Sequence, residues 1–186
     1  MNAALQPELL SAEDYLAGED SAPVRHEYLN GTAYAMAGGS DAHNSIALNL
    51  AFALRRHLQG KGCKVYMAEV KARVLTAEAD TFYYPDVMVT CDVRDTHPYY
   101  KQFPKLVIEV LSESTERIDR AEKSGNYTQL DSLEEYVLVA QDRIEVTVFR
   151  RETGWKPTVL AGLTNILKLQ SVGLEIPLSA IYEGVR

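Results

Sequence analysis

A chain of 186 residues, 46% hydrophobic and 24% charged, has the length of one domain and enough apolar surface to bury a core. No apolar run approaches the roughly 18 residues of a membrane span, and Met1 to Pro7 lacks the basic-then-apolar order of a secretory signal, so a cytoplasmic protein is expected. The net charge of −7 argues against a simple nucleic-acid binder, because affinity for a polyanion comes largely from cations that neutralise phosphates.

In chain order, Ser11 to Leu16 reads as a short helix opened by a capping box, with Asp14 where Glu is commoner. Arg25 to Leu29 and Thr32 to Ala37 read as strands joined by Asn30-Gly31, a strong hairpin signal that sets Glu27 opposite Tyr34. Gly38-Gly39-Ser40-Asp41 is a turn and helix cap. From Asp41 to Gln59, Ile46, Leu50, Leu54 and Leu58 recur every fourth position with Leu48 and Phe52 alongside, which predicts a helix burying a broad stripe and ended by Gly60.

Cys63 to Leu75 switches to period two, with Tyr66, Ala68, Val70, Ala72 and Val74 on one face and Met67, Glu69, Lys71 and Arg73 on the other. Phe82 to Cys91 and Lys105 to Leu111 are the next strands, the latter apolar enough to be covered on both faces. A helix from Glu116 to Leu130 follows, then a hairpin of Glu135 to Ala140 and Ile144 to Arg150. The tail from Trp155 through Leu174 to Ile181 adds a strand and a short helix. The order of helix, three strands, helix, strand, strand predicts a mixed α/β sheet flanked by helices, preceded by an N-terminal hairpin, in one domain over residues 1–186.

Charge is unevenly spread: residues 1–50 hold seven acids against Arg25 alone, while the rest of the chain holds 18 bases and 19 acids. Arg55-Arg56-His57, Lys61, Lys64, Lys71, Arg73, Arg117, Arg120 and Lys123 read singly as solvated charges. Cys63 and Cys91 form no CxxC and read as reduced core thiols rather than a disulfide or zinc pair.

Two carboxylates stand out. Pro85-Asp86 opens the apolar stretch Val87-Met88-Val89, and Glu109 is the only charge in the run Leu106 to Leu111. A charge in a low-dielectric interior needs a partner. Two carboxylates on neighbouring strands are a common way to hold a hard cation such as Mg²⁺. Motifs for a serine hydrolase, a phosphate loop, a dinucleotide site and a zinc protease are all missing from the sequence.

Asp86, Glu109 and a nearby lysine on strands between helices resemble the parts of the PD-(D/E)XK nucleases. The wider order resembles the Uma-two family of that superfamily: His26 to Gly31, Ala42-His43-Asn44, Tyr84-Pro85-Asp86-Val87, Ile108 to Thr115, Asp119 to Lys123, Tyr127 and Glu135 to Val139, from about residue 11 to the end of the chain. The resemblance implies restriction-endonuclease-like, metal-dependent hydrolysis of DNA, with Asp86, Glu109 and the Val110 carbonyl binding Mg²⁺ or Mn²⁺ and Glu27 completing the carboxylate set or orienting a metal-bound water. A homodimer is the class expectation. One departure is plain: the pattern's lysine two residues after the acid is Leu111 here, on the same strand face as Glu109. Lys123, matching the family pattern, or Lys71, beside Glu69, are the substitutes.

Each residue also has a plainer role. Asp119 and Lys123, four apart, fit a surface ion pair. Asp86 fits a solvated strand end, Glu27 a pair with Arg25 or a base across the sheet, Glu69 and Lys71 a same-face pair, and His43 a backbone-satisfied histidine. The competing functional class is a catalytically inactive nuclease-fold module that binds nucleic acid or protein, motivated by Leu111 and by the acidic N-terminal region.

Overall fold

The computed structural model describes residues 9–77, 79–112 and 116–185. Helix α1 (Ala12–Glu19) is capped by Ser11, whose hydroxyl accepts the Asp14 amide and donates to the Asp14 carboxylate at 2.6 Å. Strands β1 (His26–Leu29) and β2 (Thr32–Ala35) turn through Asn30 and Gly31, both with positive φ (47° and 96°), as a tight hairpin requires. Glu27 faces Tyr34 in the register expected of that turn.

Ser40 caps α2 (Asp41–His57), which buries Ile46, Leu50 and Leu54 with Ala47 and Ala51. Leu48 and Phe52, expected beside that stripe, are instead 54% and 67% exposed. Each lies two residues from a stripe position, about 200° around a helix that turns roughly 100° per residue, so both point away from the sheet.

The single strands expected over Cys63 to Leu75 and Phe82 to Cys91 are each two. β3 (Lys64–Met67) and β4 (Lys71–Leu75) are separated by a bend, as are β5 (Asp80–Tyr83) and β6 (Val87–Thr90). The breaks lie side by side, since the Ala68 amide donates to the Pro85 carbonyl at 3.1 Å. Ala68 has φ 42°, and Pro85 has no amide to continue a ladder. β3 pairs with β6 and β4 with β5, so one bent ribbon passes from one sheet into another. Pro85-Asp86 sits at that seam.

The chain continues through β7 (Tyr100–Lys101) and β8 (Pro104–Leu111), then α3 (Glu116–Ile118), a π-helical turn (Asp119–Lys123) and α4 (Ser124–Tyr127). The Glu116 to Leu130 helix expected from sequence therefore exists with a widened middle turn and an earlier end. β9 (Glu135–Ala140) and β10 (Glu145–Arg150) form the expected hairpin. β11 (Pro157–Ala161), β12 (Ile166–Leu169), β13 (Leu174–Pro177) and α5 (Leu178–Ile181) finish the fold.

The sheets run β2-β1-β5-β4-β7 and β11-β10-β9-β8-β6-β3, with β12-β13 as a separate pair. β8 lies between β6 and β9, parallel to β9, which explains its nearly unbroken apolar run. On one face Leu106, Ile108 and Val110 pack with α2 and α5; on the other Val107 and Leu111 pack with Tyr127, Leu133 and Tyr136.

Cys63 and Cys91 are joined by a disulfide rather than reduced. Lys64 pairs with Thr90 in the β3–β6 register, so the next residues outward face each other, a non-local match that spacing along the chain does not reveal. No helix among the described residues is long and apolar enough to cross a membrane.

Candidate active site

Asp86, at the seam, is fastened to β8 rather than left in solvent. Its amide donates to Glu109 Oε2 at 3.3 Å, and its Oδ2 accepts the Val110 amide at 2.7 Å. The same oxygen lies 3.2 Å from His43 Nε2 at the start of α2. That hydrogen bond outweighs burial and raises the His43 pKa. His43 thus meets a carboxylate as well as the Val110 backbone, the latter being the kind of partner its plainer role called for.

Glu109 is 2% exposed. Strand alternation turns it, with Leu111, toward the helical segment that follows. Leu111 is packed in the apolar cluster there and supplies no charge. The cation comes instead from Lys123: its ammonium lies 2.9 Å from Glu27 Oε1, 3.3 Å from Asp119 Oδ1 and 3.6 Å from Glu109 Oε1. Asp119 and Lys123 are both buried, so the exposed i,i+4 pair allowed by their spacing is not what forms. They lie in the π-helical turn, a feature often found at functional sites.

Burial drives the Glu109 pKa well above the ordinary carboxylate value; the Lys123 ammonium opposes this, and the Asp86, Asp119 and Glu27 carboxylates add to it. For Lys123, burial pulls the pKa down, but Glu109, Glu27 and Asp119 outweigh it and hold the ammonium well above its usual value. Aromatic groups close the site. The Tyr127 hydroxyl donates to Glu109 Oε1 at 3.4 Å, the Tyr136 hydroxyl donates to the Asp119 carbonyl at 3.0 Å, and the Lys123 ammonium stands 5.4 Å from the Tyr83 ring centre.

Glu27 reaches in from the five-stranded sheet and also accepts the Tyr84 amide at 3.4 Å. Its pairing with Arg25 does not form, because Arg25 turns to Glu69 at 2.7 Å, which also replaces the expected Glu69–Lys71 pair. Lys71 is buried, with its ammonium 5.0 Å from the Tyr84 ring centre, and makes no ion pair within 4 Å among the described residues. The structure therefore brings together Glu27, Asp86, Glu109, Val110 and Lys123, and leaves Lys71 outside.

Sequence reasoning missed the inward position of Asp119, the His43 contact with Asp86, and a buttress behind the site. Glu19, buried, accepts the His26 amide at 2.8 Å and the Tyr84 hydroxyl at 3.0 Å. An acid in the last turn of α1 opposes the helix dipole, and that was the available signal.

Among the described residues no three His, Cys, Asp or Glu side chains stand together as a ready-made metal cluster. The donors nonetheless suit a hard cation: the Asp86 and Glu109 carboxylates flank the Val110 backbone, all with oxygen donors. Among the described residues the Lys123 ammonium meets Glu27, Glu109 and Asp119, and the His43 ring meets Asp86; a divalent ion would be a further cation for this set of carboxylates.

Two sheets sharing a bent ribbon, with an acid at the seam, a second on the adjoining strand and helices covering both faces, define a mixed α/β fold of the restriction-endonuclease type. Residues 12–179 match the Uma2 family, described as "Putative restriction endonuclease", and the chain belongs to that family. It is 35% identical over 178 residues to the uncharacterized protein slr1290 of Synechocystis sp., covering 95% of this chain and 93% of that one. A second protein of the same organism, the uncharacterized sll1609, is 30% identical over 159 residues, covering 83% and 89%. A crystal structure from Anabaena variabilis, described as "a putative nuclease belonging to DUF820", matches with a TM-score of 0.74 and 13% identity over 89% of this chain and 93% of that one. That likeness is one of fold.

Proposed function

We propose that this chain is a metal-dependent DNA endonuclease, a single nuclease domain over residues 1–186 that hydrolyses phosphodiester bonds in the cytoplasm as a homodimer. The observation that carries the reading is the Lys123 ammonium 3.6 Å from Glu109, which supplies from a helix the cation that Leu111 withholds from the strand.

Asp86, Glu109 and the Val110 carbonyl are the groups that would hold Mg²⁺ or Mn²⁺. Such an ion activates a water and shields charge on a phosphate. Lys123 has the role of a charged donor rather than a base, because three carboxylates keep its proton in place. It neutralises a phosphate oxygen or the departing oxygen. Glu27 orients that ammonium from the opposite sheet, and His43 and the Val110 amide hold Asp86 in its rotamer.

The test is calorimetric titration of Mn²⁺ into wild type and Glu109→Ala, beside incubation of supercoiled, linear and single-stranded DNA and of RNA with Mg²⁺. Wild type should give saturable heat that the variant lacks, and nick or cut the DNA. Equal heats overturn the metal assignment. Leu111 favours the second reading, an inactive binding module, and binding of all four substrates without cleavage of any would select it.

A further inference from the structure

The outward face of α2 carries features that neither the core nor the active site uses. Leu48 and Phe52 stand one turn apart, 54% and 67% exposed. Charges of opposite sign flank them: Asp41 in the first turn, Arg55 and Arg56 in the last. All three are exposed, and none has an ion-pair partner among the described residues. The helix dipole accounts for the sign of these charges. It does not account for two large apolar side chains held in water between them. Beside Phe52 a cavity of about 500 Å³, lined in part by Ala53, Leu174 and Ile176, widens this surface.

We propose that this face binds a second copy of the chain, α2 against α2, antiparallel about a two-fold axis. This rests on the homodimer named above and gives it a surface. In a two-fold contact the same patch is used twice, so it must be its own complement. Read along α2, the order is acid, Leu48, Phe52, base; reversed, it matches itself with Leu48 on Phe52 and acid toward base. Centred between Leu48 and Phe52, the axis sets Asn44 of one copy against Arg56 of the other. Asp41 then lies about 6 Å along the axis, four residues at roughly 1.5 Å each, from the level of the other copy's Arg55, within reach of an arginine side chain. A parallel pairing would set like charges together.

The experiment is sedimentation equilibrium of the full chain over a range of concentrations, with circular dichroism as the control for folding. Wild type should be a dimer. Leu48→Glu with Phe52→Glu should raise the dimer dissociation constant by roughly thirtyfold or more, as loss of two central apolar anchors does. Arg55→Asp with Arg56→Asp should weaken the dimer as well, and adding Asp41→Arg to the same chain should restore it. If the double Glu variant does not fold, the charge reversals alone decide. A dimer unchanged in the folded variants overturns this surface while leaving the homodimer standing. A wild type that stays monomeric overturns both, as does a monomer that uses Arg55 and Arg56 only to bind DNA. None of these readouts depends on cleavage.

Discussion

The two faces of β8 are built by opposite rules although they alternate along one strand. Leu106, Ile108 and Val110 enter the layer under α2, where they pack in an apolar cluster, and the buried acid beside Leu106, Glu135, is matched by Arg150 at 2.9 Å and by the Gln170 and Ser171 amides. Val107, Glu109 and Leu111 enter the layer under the helix that carries Asp119, Lys123 and Tyr127, where a buried acid meets a buried lysine. The first face is stabilised by removing apolar area from water. The second bears the desolvation of charges that only one another's presence makes tolerable. The difference separates what holds the fold from what the fold holds in place, and substitutions on the two faces should therefore fail differently.

The largest effect is expected from Lys123→Met, which keeps the bulk of the side chain and removes the cation. Glu109, Glu27 and Asp119 then face one another without it, and breaking a buried pair in this way costs about 4 kcal/mol. Cleavage should be lost. Adding Glu109→Gln removes the stranded charge and should return a large part of the stability but none of the activity. Urea unfolding of the single and double variants measures this. An unchanged midpoint for Lys123→Met would mean that water already screens these charges, and the contrast between the faces would collapse.

On the other face, Ile108→Ala should cost about 3 kcal/mol through lost burial and the cavity left behind. Ile108 is fully buried against a layer whose side chains include neither proposed metal-binding carboxylate, although Val110 in that layer would offer its backbone carbonyl. Heat of Mn²⁺ binding and cleavage, measured well below the lowered melting temperature, should both stay near wild type. Loss of metal binding here would show that the two layers are coupled through the strand, so that packing alone sets the carboxylate positions.

How far these faces could be read in advance followed how local each signal is. Glu109 was legible because a charge inside an apolar run is anomalous within six residues, and Asn30-Gly31 fixed its hairpin by turn geometry alone. Leu111 was legible as the missing lysine because alternation is a property of the strand itself. Lys123 was reached only through resemblance, since the gap between a helix and a strand is set by packing. The bends at Ala68 and Pro85 were hidden because the period-two pattern runs through them while the ribbon changes sheets. The disulfide depends on the β3–β6 register and the Asp86–His43 contact on how α2 docks, neither of which leaves a mark in neighbouring residues. Leu48 and Phe52 were placed in the core by their hydrophobicity, although their angle around α2 puts them outside.

The smallest effect, and the finest probe of the contrast, comes from Tyr127→Phe. Tyr127 is fully buried and packs between Tyr83 and Tyr136, so phenylalanine fills the same space and the change isolates one hydroxyl. That hydroxyl reaches Glu109 Oε1 at 3.4 Å, a long hydrogen bond, while the carboxylate keeps the Lys123 ammonium and the Asp86 amide as partners. No orphaned acceptor results, so the loss should be about 0.5 to 1 kcal/mol in chemical unfolding. Combined with Lys123→Met, the same substitution should cost more than it does alone, because the hydroxyl is then among the few donors left to a stranded carboxylate. Strict additivity would mean that the tyrosine contributes only its ring, and that charge alone keeps Glu109 where it lies.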